Sequence, residues 1–166
     1  MKNKMQKNYI DNCFGFPVKI GEVLMRWSFD EWIPEIDFFA LESRLLYQLP
    51  FKPSRFTGAE IKFIRSSEGL TLKDFGKRIG VSHVAVKKWE AGEAGDDCGM
   101  SWPNEKLLRI TLLAKQDREA QVPALLDKLS EVLPSEDTPW FFNDCGQSDK
   151  TPTRAMETGK THAQIP

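Results

Sequence analysis

Cysteine and histidine are scarce in this chain: Cys13, Cys98 and Cys145 stand far apart, and His83 and His162 are the only histidines among 166 residues. Three cysteines, odd in number and without a Cys-x-x-Cys or Cys/His spacing, make neither a disulfide framework nor a zinc site, and read as reduced cytosolic thiols. Two isolated histidines offer no histidine-dependent nucleophilic triad. Asp96-Asp97-Cys98 places two carboxylates in a glycine-rich connection with no general base nearby, which reads as a solvated turn. The sequence is therefore expected to be no enzyme, with no metal and no cofactor. It also lacks any apolar run approaching the roughly 18 residues of a spanning helix, and Met1 to Lys7 has charges without a following apolar stretch. No membrane association is expected, and a cytoplasmic location is.

An excess of either charge is missing too. Lys and Arg number 23 against 24 Asp and Glu, a net of −1, so no bulk basic character announces a polyanionic partner. The balance hides an asymmetry. Residues 1–54 carry 7 basic against 7 acidic residues, 55–115 carry 11 against 8, and 116–166 carry 5 against 9. The middle is basic and the tail acidic.

Punctuation divides the chain into residues 1–55, 56–133 and 134–166. In the first part, Phe16 to Trp27 is rich in β-branched and aromatic residues and predicts one or two short strands with a turn or bulge at Gly21-Glu22. Past Pro34, apolar residues at three- and four-residue steps predict a helix over about 34–48, ended by Pro50 and Pro53. The tail holds Pro134, Pro139, Pro152 and Pro166 with little periodicity and is expected to be disordered apart from Trp140-Phe141-Phe142, a triplet able to dock on the domain or on a partner.

Local signals agree best between Phe56 and Gly92. Thr57-Gly58-Ala59-Glu60 is a capping box, with Ile61 and Ile64 on one face and Gly69 as the left-handed stop, so a helix is predicted over 58–68. Thr71-Leu72-Lys73-Asp74 repeats the cap, and Leu72, Phe75 and Ile79 follow at helical spacing before Gly80. Ser82 then caps a third helix that buries Ala85, Val86 and Trp89. Two short helices joined by a tight glycine turn form a helix-turn-helix pair, whose second helix enters the DNA major groove while the first crosses the backbone. From Lys73 to Lys88 there are five basic residues, Lys73, Lys77, Arg78, Lys87 and Lys88, against Asp74 alone, an electrostatic footprint confined to the motif.

The run Phe56-Thr57-Gly58-Ala59-Glu60-Ile61-Lys62-Phe63-Ile64-Arg65, with Gly69 to Gly76, Gly80-Val81-Ser82 and Val86-Lys87-Lys88-Trp89-Glu90-Ala91-Gly92, resembles the Xre/Cro-type helix-turn-helix family. Its opening is similar to the DNA-binding domain of MqsA-type antitoxins. The resemblance implies a mainly α fold: a five-helix Xre/Cro-type domain over 56–133, with further helices at 104–115 and about 122–133, preceded by a small α+β N-terminal region and followed by the disordered tail. It implies a sequence-specific transcriptional regulator, a homodimeric repressor bound to double-stranded operator DNA of its own or a neighbouring operon. Carried over by position, His83, Val84 and Lys88 would contact bases, and Lys73, Lys77, Arg78, Ser82 and Lys87 the DNA backbone. Where the family often has a glutamine at the second position of the first helix of the pair, this chain has Leu72, so no operator sequence is inferred.

Phe16 to Leu24 also looks like a strand of the zinc-ribbon half of MqsA-type antitoxins, but the cysteine pairs are missing and only Cys13 remains. Residues 1–55 are then a candidate for dimerisation or for binding a toxin, and the antitoxin role of a toxin-antitoxin pair stands beside that of a free-standing regulator. The competing class is a protein-interaction module that keeps a helix-turn-helix fold without specific DNA binding.

Overall fold

The computed structural model describes residues 2–92, 98–129 and, for backbone alone, 140–142. Strand β1 (Asn3–Asp11) pairs antiparallel with β2 (Val18–Ser28), from Asn3 opposite Arg26 to Asp11 opposite Val18. Strand β3 (Glu31–Glu35) returns along the other edge of β2, but only over Leu24–Ser28. The remaining stretch of that edge, Val18–Ile20, is paired in parallel by β4 (Trp140–Phe142). Along β2 the buried residues change face, from Val18 and Ile20 to Val23 and Met25. Gly21 and Asn8, the latter at φ 53, lie between the pairs Lys7–Glu22 and Tyr9–Ile20 and mark the change. One long strand pair thereby offers opposite faces to the core at its two ends, which strict alternation forbids without a local distortion.

Helix α1 (Phe38–Gln48) starts at Asp37, whose carboxylate accepts the Ala40 N–H at 3.0 Å, and buries Leu41 and Leu45. A 3-10 turn at Leu49–Phe51 leads to α2 (Gly58–Ser67), α3 (Leu72–Arg78) and α4 (His83–Glu90). Helix α5 (Trp102–Lys115) follows, then a 3-10 turn at Glu119–Gln121 and α6 (Val122–Lys128). One continuous core joins Val18 and Ile20 of the sheet, Leu41 and Leu45 of α1, Ile61 of α2, Phe75 of α3 and Val86 of α4. Phe14 and Phe16, at the end of the β1–β2 hairpin, meet Phe63 of α2 edge to face at 5.0 and 5.5 Å between centroids. A smaller cluster of Leu113, Leu125 and Leu129 pins α6 to α5.

This architecture corrects the expected fold class. The chain is mixed α and β, with six helices and a three-stranded antiparallel meander among the described residues, not a mainly α five-helix domain with a small appendage. Strands β1 and β3 lack an apolar strand pattern, because β1 is mostly Lys and Asn on its exposed positions and β3 contains Pro34. That proline sits on the outer edge of β3, where a missing N–H costs no ladder bond. The helix expected from residue 34 accordingly begins at Phe38. Trp140-Phe141-Phe142, excepted from the disorder expected of the tail, form a strand on the sheet; the other residues of the tail lie outside those described.

Segment 50–57 is held between α2 and α5 by buried charge. Arg109 is fully buried and donates to the carbonyls of Pro50, Lys52 and Ser54 at 3.0, 2.6 and 2.7 Å, and to Glu105 Oε1 at 2.8 Å. Glu105, also fully buried, accepts the Phe56 N–H at 3.1 Å and an Arg55 N–H. Lys52 donates to Glu60 at 2.7 Å, and the same carboxylate oxygen accepts the Thr57 N–H at 2.9 Å. The capping box that starts α2 is therefore anchored from below by a second ion pair. Burial pulls the Arg109 pKa down against the charge and hydrogen bond of Glu105, which hold it up.

Candidate nucleic-acid interface

The α3–α4 pair is built by its caps and one close approach. Thr71 Oγ1 accepts the Asp74 N–H at 3.1 Å and Ser82 Oγ accepts the Ala85 N–H at 3.2 Å, so each helix starts where a side-chain oxygen satisfies an orphan amide. Gly80, at φ +73, turns the chain between them, and the Val81 N–H donates to the Gly76 carbonyl at 2.8 Å. A Cβ on Gly76 would lie 2.7 Å from the Val81 carbonyl oxygen, closer than any side chain tolerates. The turn thus packs directly on the backbone of α3, and glycine is what permits it.

Helix α4 divides cleanly into two faces. Val86 and Trp89 are buried, with Ala85 and Glu90 beside them. His83, Val84, Lys87 and Lys88 are all exposed, Val84 at 62%. These four occupy positions i, i+1, i+4 and i+5, so they form one continuous stripe running from the first turn of α4 to its last. Ser82, at the head of the stripe, is exposed as well. On α3, Lys73 and Lys77 are exposed one turn apart, and neither they nor Lys87 and Lys88 form an ion pair among the described residues.

Arg78 differs from the other expected contacts. Its guanidinium is exposed but tied to Glu68, which also holds Lys115 at 2.8 Å, so its charge is already paired within the chain. Leu72 is half-buried and packs against the core. Of the eight residues expected at an interface, seven project from α3, from α4 or from its cap without an intramolecular ion pair, and the eighth is Arg78.

Helix α4 is fixed by an ion pair to α2 that pattern reading did not pair. Arg65 of α2 donates through Nε and Nη2 to the two carboxylate oxygens of Glu90 at 2.6 and 2.9 Å, and through Nη1 to the Leu70 carbonyl at 2.8 Å. The Glu90 hydrogen bond, outweighing the cost of burial, raises the Arg65 pKa. This bidentate pair locks the C-terminal end of α4 to α2 and to the loop before α3. Its partners are 25 residues apart.

Among the described residues no cluster of His, Cys, Asp and Glu could hold a metal ion, and no helix is long and apolar enough to cross a membrane. Asp96 and Asp97 lie outside the described residues, while Cys98 is buried. Comparison with protein-family models, with curated proteins and with solved structures found no match to this chain.

Proposed function

We propose that this chain is a sequence-specific DNA-binding transcriptional regulator of the cytoplasm, a dimeric repressor acting on its own or a neighbouring operon, with α4 as its recognition helix. The observation that carries the reading is the stripe of His83, Val84, Lys87 and Lys88, exposed along a short helix whose opposite face is fixed in the core. A helix of this kind enters a major groove about 12 Å wide, where a lysine donates to guanine O6 or N7 and a valine touches a thymine methyl. In that pose Lys88, His83 and Val84 read bases, and Lys73, Lys77, Lys87 and the Ser82 hydroxyl hold phosphates. Arg78 joins them only by leaving Glu68. A single helix reads few base pairs, so two copies on half-sites about 34–36 Å apart supply the affinity of a working operator.

The test is a fluorescence-anisotropy titration of the full chain against duplex from upstream of its gene and against a scrambled duplex, at two salt concentrations. Preference for the upstream duplex is expected, lost in Lys87→Ala/Lys88→Ala, with the salt slope reduced by about 1 to 2 as phosphate contacts disappear. Equal, weak and steeply salt-dependent binding to both duplexes, unchanged by the double substitution, overturns the reading in favour of a protein-interaction module. A small basic protein encoded beside the chain would add the antitoxin role, with residues 1–55 as the surface to test against it.

A further inference from the structure

The turn between β2 and β3 is made at a cost that the monomer does not recover. Ser28 and Glu31 face each other across a two-residue loop in which Phe29 and Asp30 both have positive φ, 52 and 61. This is the type I′ geometry that asparagine and glycine adopt readily and that costs a residue with a bulky side chain about 1–2 kcal/mol. Phe29 nevertheless occupies it, with its side chain 91% exposed. Neither local backbone preference nor packing within the chain explains an aromatic residue here.

The surroundings extend the anomaly. On the face of β2 that carries buried Val23 and Met25, the next residue, Trp27, is 39% exposed, so this end of the sheet reaches past the core. Trp27 meets Trp32 edge to face at 5.3 Å, and the Lys4 ammonium lies 4.3 Å from the Trp32 ring centroid. The start of β1 runs along the opposite edge, where the Lys2 carbonyl accepts the Trp27 N–H at 3.0 Å. The projecting end therefore has an aromatic middle, a basic side at Lys2 and Lys4, and an acidic side at Asp30 and Glu31.

We infer that this end of the sheet is where a second copy of the chain docks, through Phe29 and Trp27 about a two-fold axis. Such an axis sets the acidic turn of each copy against the basic strand start of the other, so the surface is complementary to itself in charge as well as apolar at its centre. DNA and anionic membranes are poor occupants, because Asp30 and Glu31 flank the exposed ring. Two aromatic side chains bury at most about 150–250 Å² each, well under the roughly 800 Å² per partner of a standard interface, so the dimer is a weak, concentration-dependent one. The inference draws on the dimeric part of the reading above and is independent of DNA binding.

Sedimentation equilibrium of the full chain without DNA, from low micromolar to near-millimolar concentration, tests it. A monomer–dimer equilibrium is expected. Phe29→Asn/Asp30→Gly should weaken it by about tenfold or more, since an aromatic anchor is lost. The same substitution should raise the melting temperature, since the turn becomes relaxed. Loss of association therefore cannot be laid to unfolding. Lys2→Glu/Lys4→Glu and Asp30→Lys/Glu31→Lys should each weaken the dimer, and the two combined in one chain should restore it. A monomer at every concentration, or a dimer indifferent to Phe29→Asn/Asp30→Gly, overturns the inference. A chain that dimerises as described but fails to discriminate between duplexes refutes the DNA-binding reading alone.

Discussion

Replacing Arg109 by methionine probes the buried charge that holds the segment leading into α2. Methionine approximates the stem of the arginine but supplies no donor, so the carbonyls of Pro50, Lys52 and Ser54 lose this partner together, while Glu105 Oε1 keeps the Phe56 N–H. At about 1–3 kcal/mol per buried polar group left unsatisfied, three such groups would sum to about 3–9 kcal/mol. The upper part of that range would need every group to stay dry. Segment 50–54 includes the exposed Pro53 and can relax toward water, so the cost should settle near the 3–5 kcal/mol typical of breaking one side of a buried ion pair. With a urea m value of about 2 kcal/mol/M, a loss of about 4 kcal/mol lowers the unfolding midpoint by about 2 M. Tryptophan fluorescence in urea reads this directly. Because Arg55 and the Phe56 N–H still hold the Glu105 carboxylate when Arg109 is gone, Glu105→Gln should cost less on top of Arg109→Met than alone, a coupling that a double-mutant cycle isolates. A midpoint shift below about 0.5 M for Arg109→Met, with m unchanged, would show that the network does not hold the segment and would refute the reasoning.

Two further outcomes follow from the geometry. Gly76→Ala drives a Cβ against the Val81 carbonyl and should cost about 1–3 kcal/mol as an overpacked site. Gly80→Ala, which meets open space but keeps φ +73, should cost about 1 kcal/mol by thermal melting, and the reverse order would contradict the packing of turn on helix. Cys13 is an exposed residue, yet local desolvation first, then the hydrogen bond and charge of Asp11, push its thiol up to about 12 from a usual 9.0. Since the thiolate is the nucleophile and the shift disfavours it, alkylation at pH 8 should run up to about a thousandfold slower than at an unperturbed thiol. The rate should rise through a midpoint near 12, and a midpoint near 9.0 in the pH–rate profile would contradict the assignment.

What the sequence determined by itself is local. Thr57, Thr71 and Ser82 accept the amides of Glu60, Asp74 and Ala85, and Gly69 and Gly80 adopt positive φ at the ends of their helices. Helix α2 falls within a residue of the range expected for it, and α3 and α4 start at the caps expected for them, because caps and glycine stops act over three or four residues and leave their mark in order along the chain. The face of α4 was legible for the same reason, as burial of Val86 and Trp89 leaves Lys87 and Lys88 nowhere but outside.

The sheet and the charge network were decided by tertiary structure. Strand β1 has few apolar residues of its own and exists because β2 supplies its hydrogen bonds, while β4 comes from far along the chain to complete the β2 edge that β3 leaves open. Arg65 finds Glu90, and Arg109 finds three carbonyls more than 50 residues away, through folding that no periodicity announces. Long-range pairs such as these depend on which surfaces meet, and a linear pattern of polar and apolar residues does not encode it. That is why the composition of the first 55 residues suggested a small appendage, whereas the folded chain places Val18 and Ile20 in the same core as Phe75 and Val86.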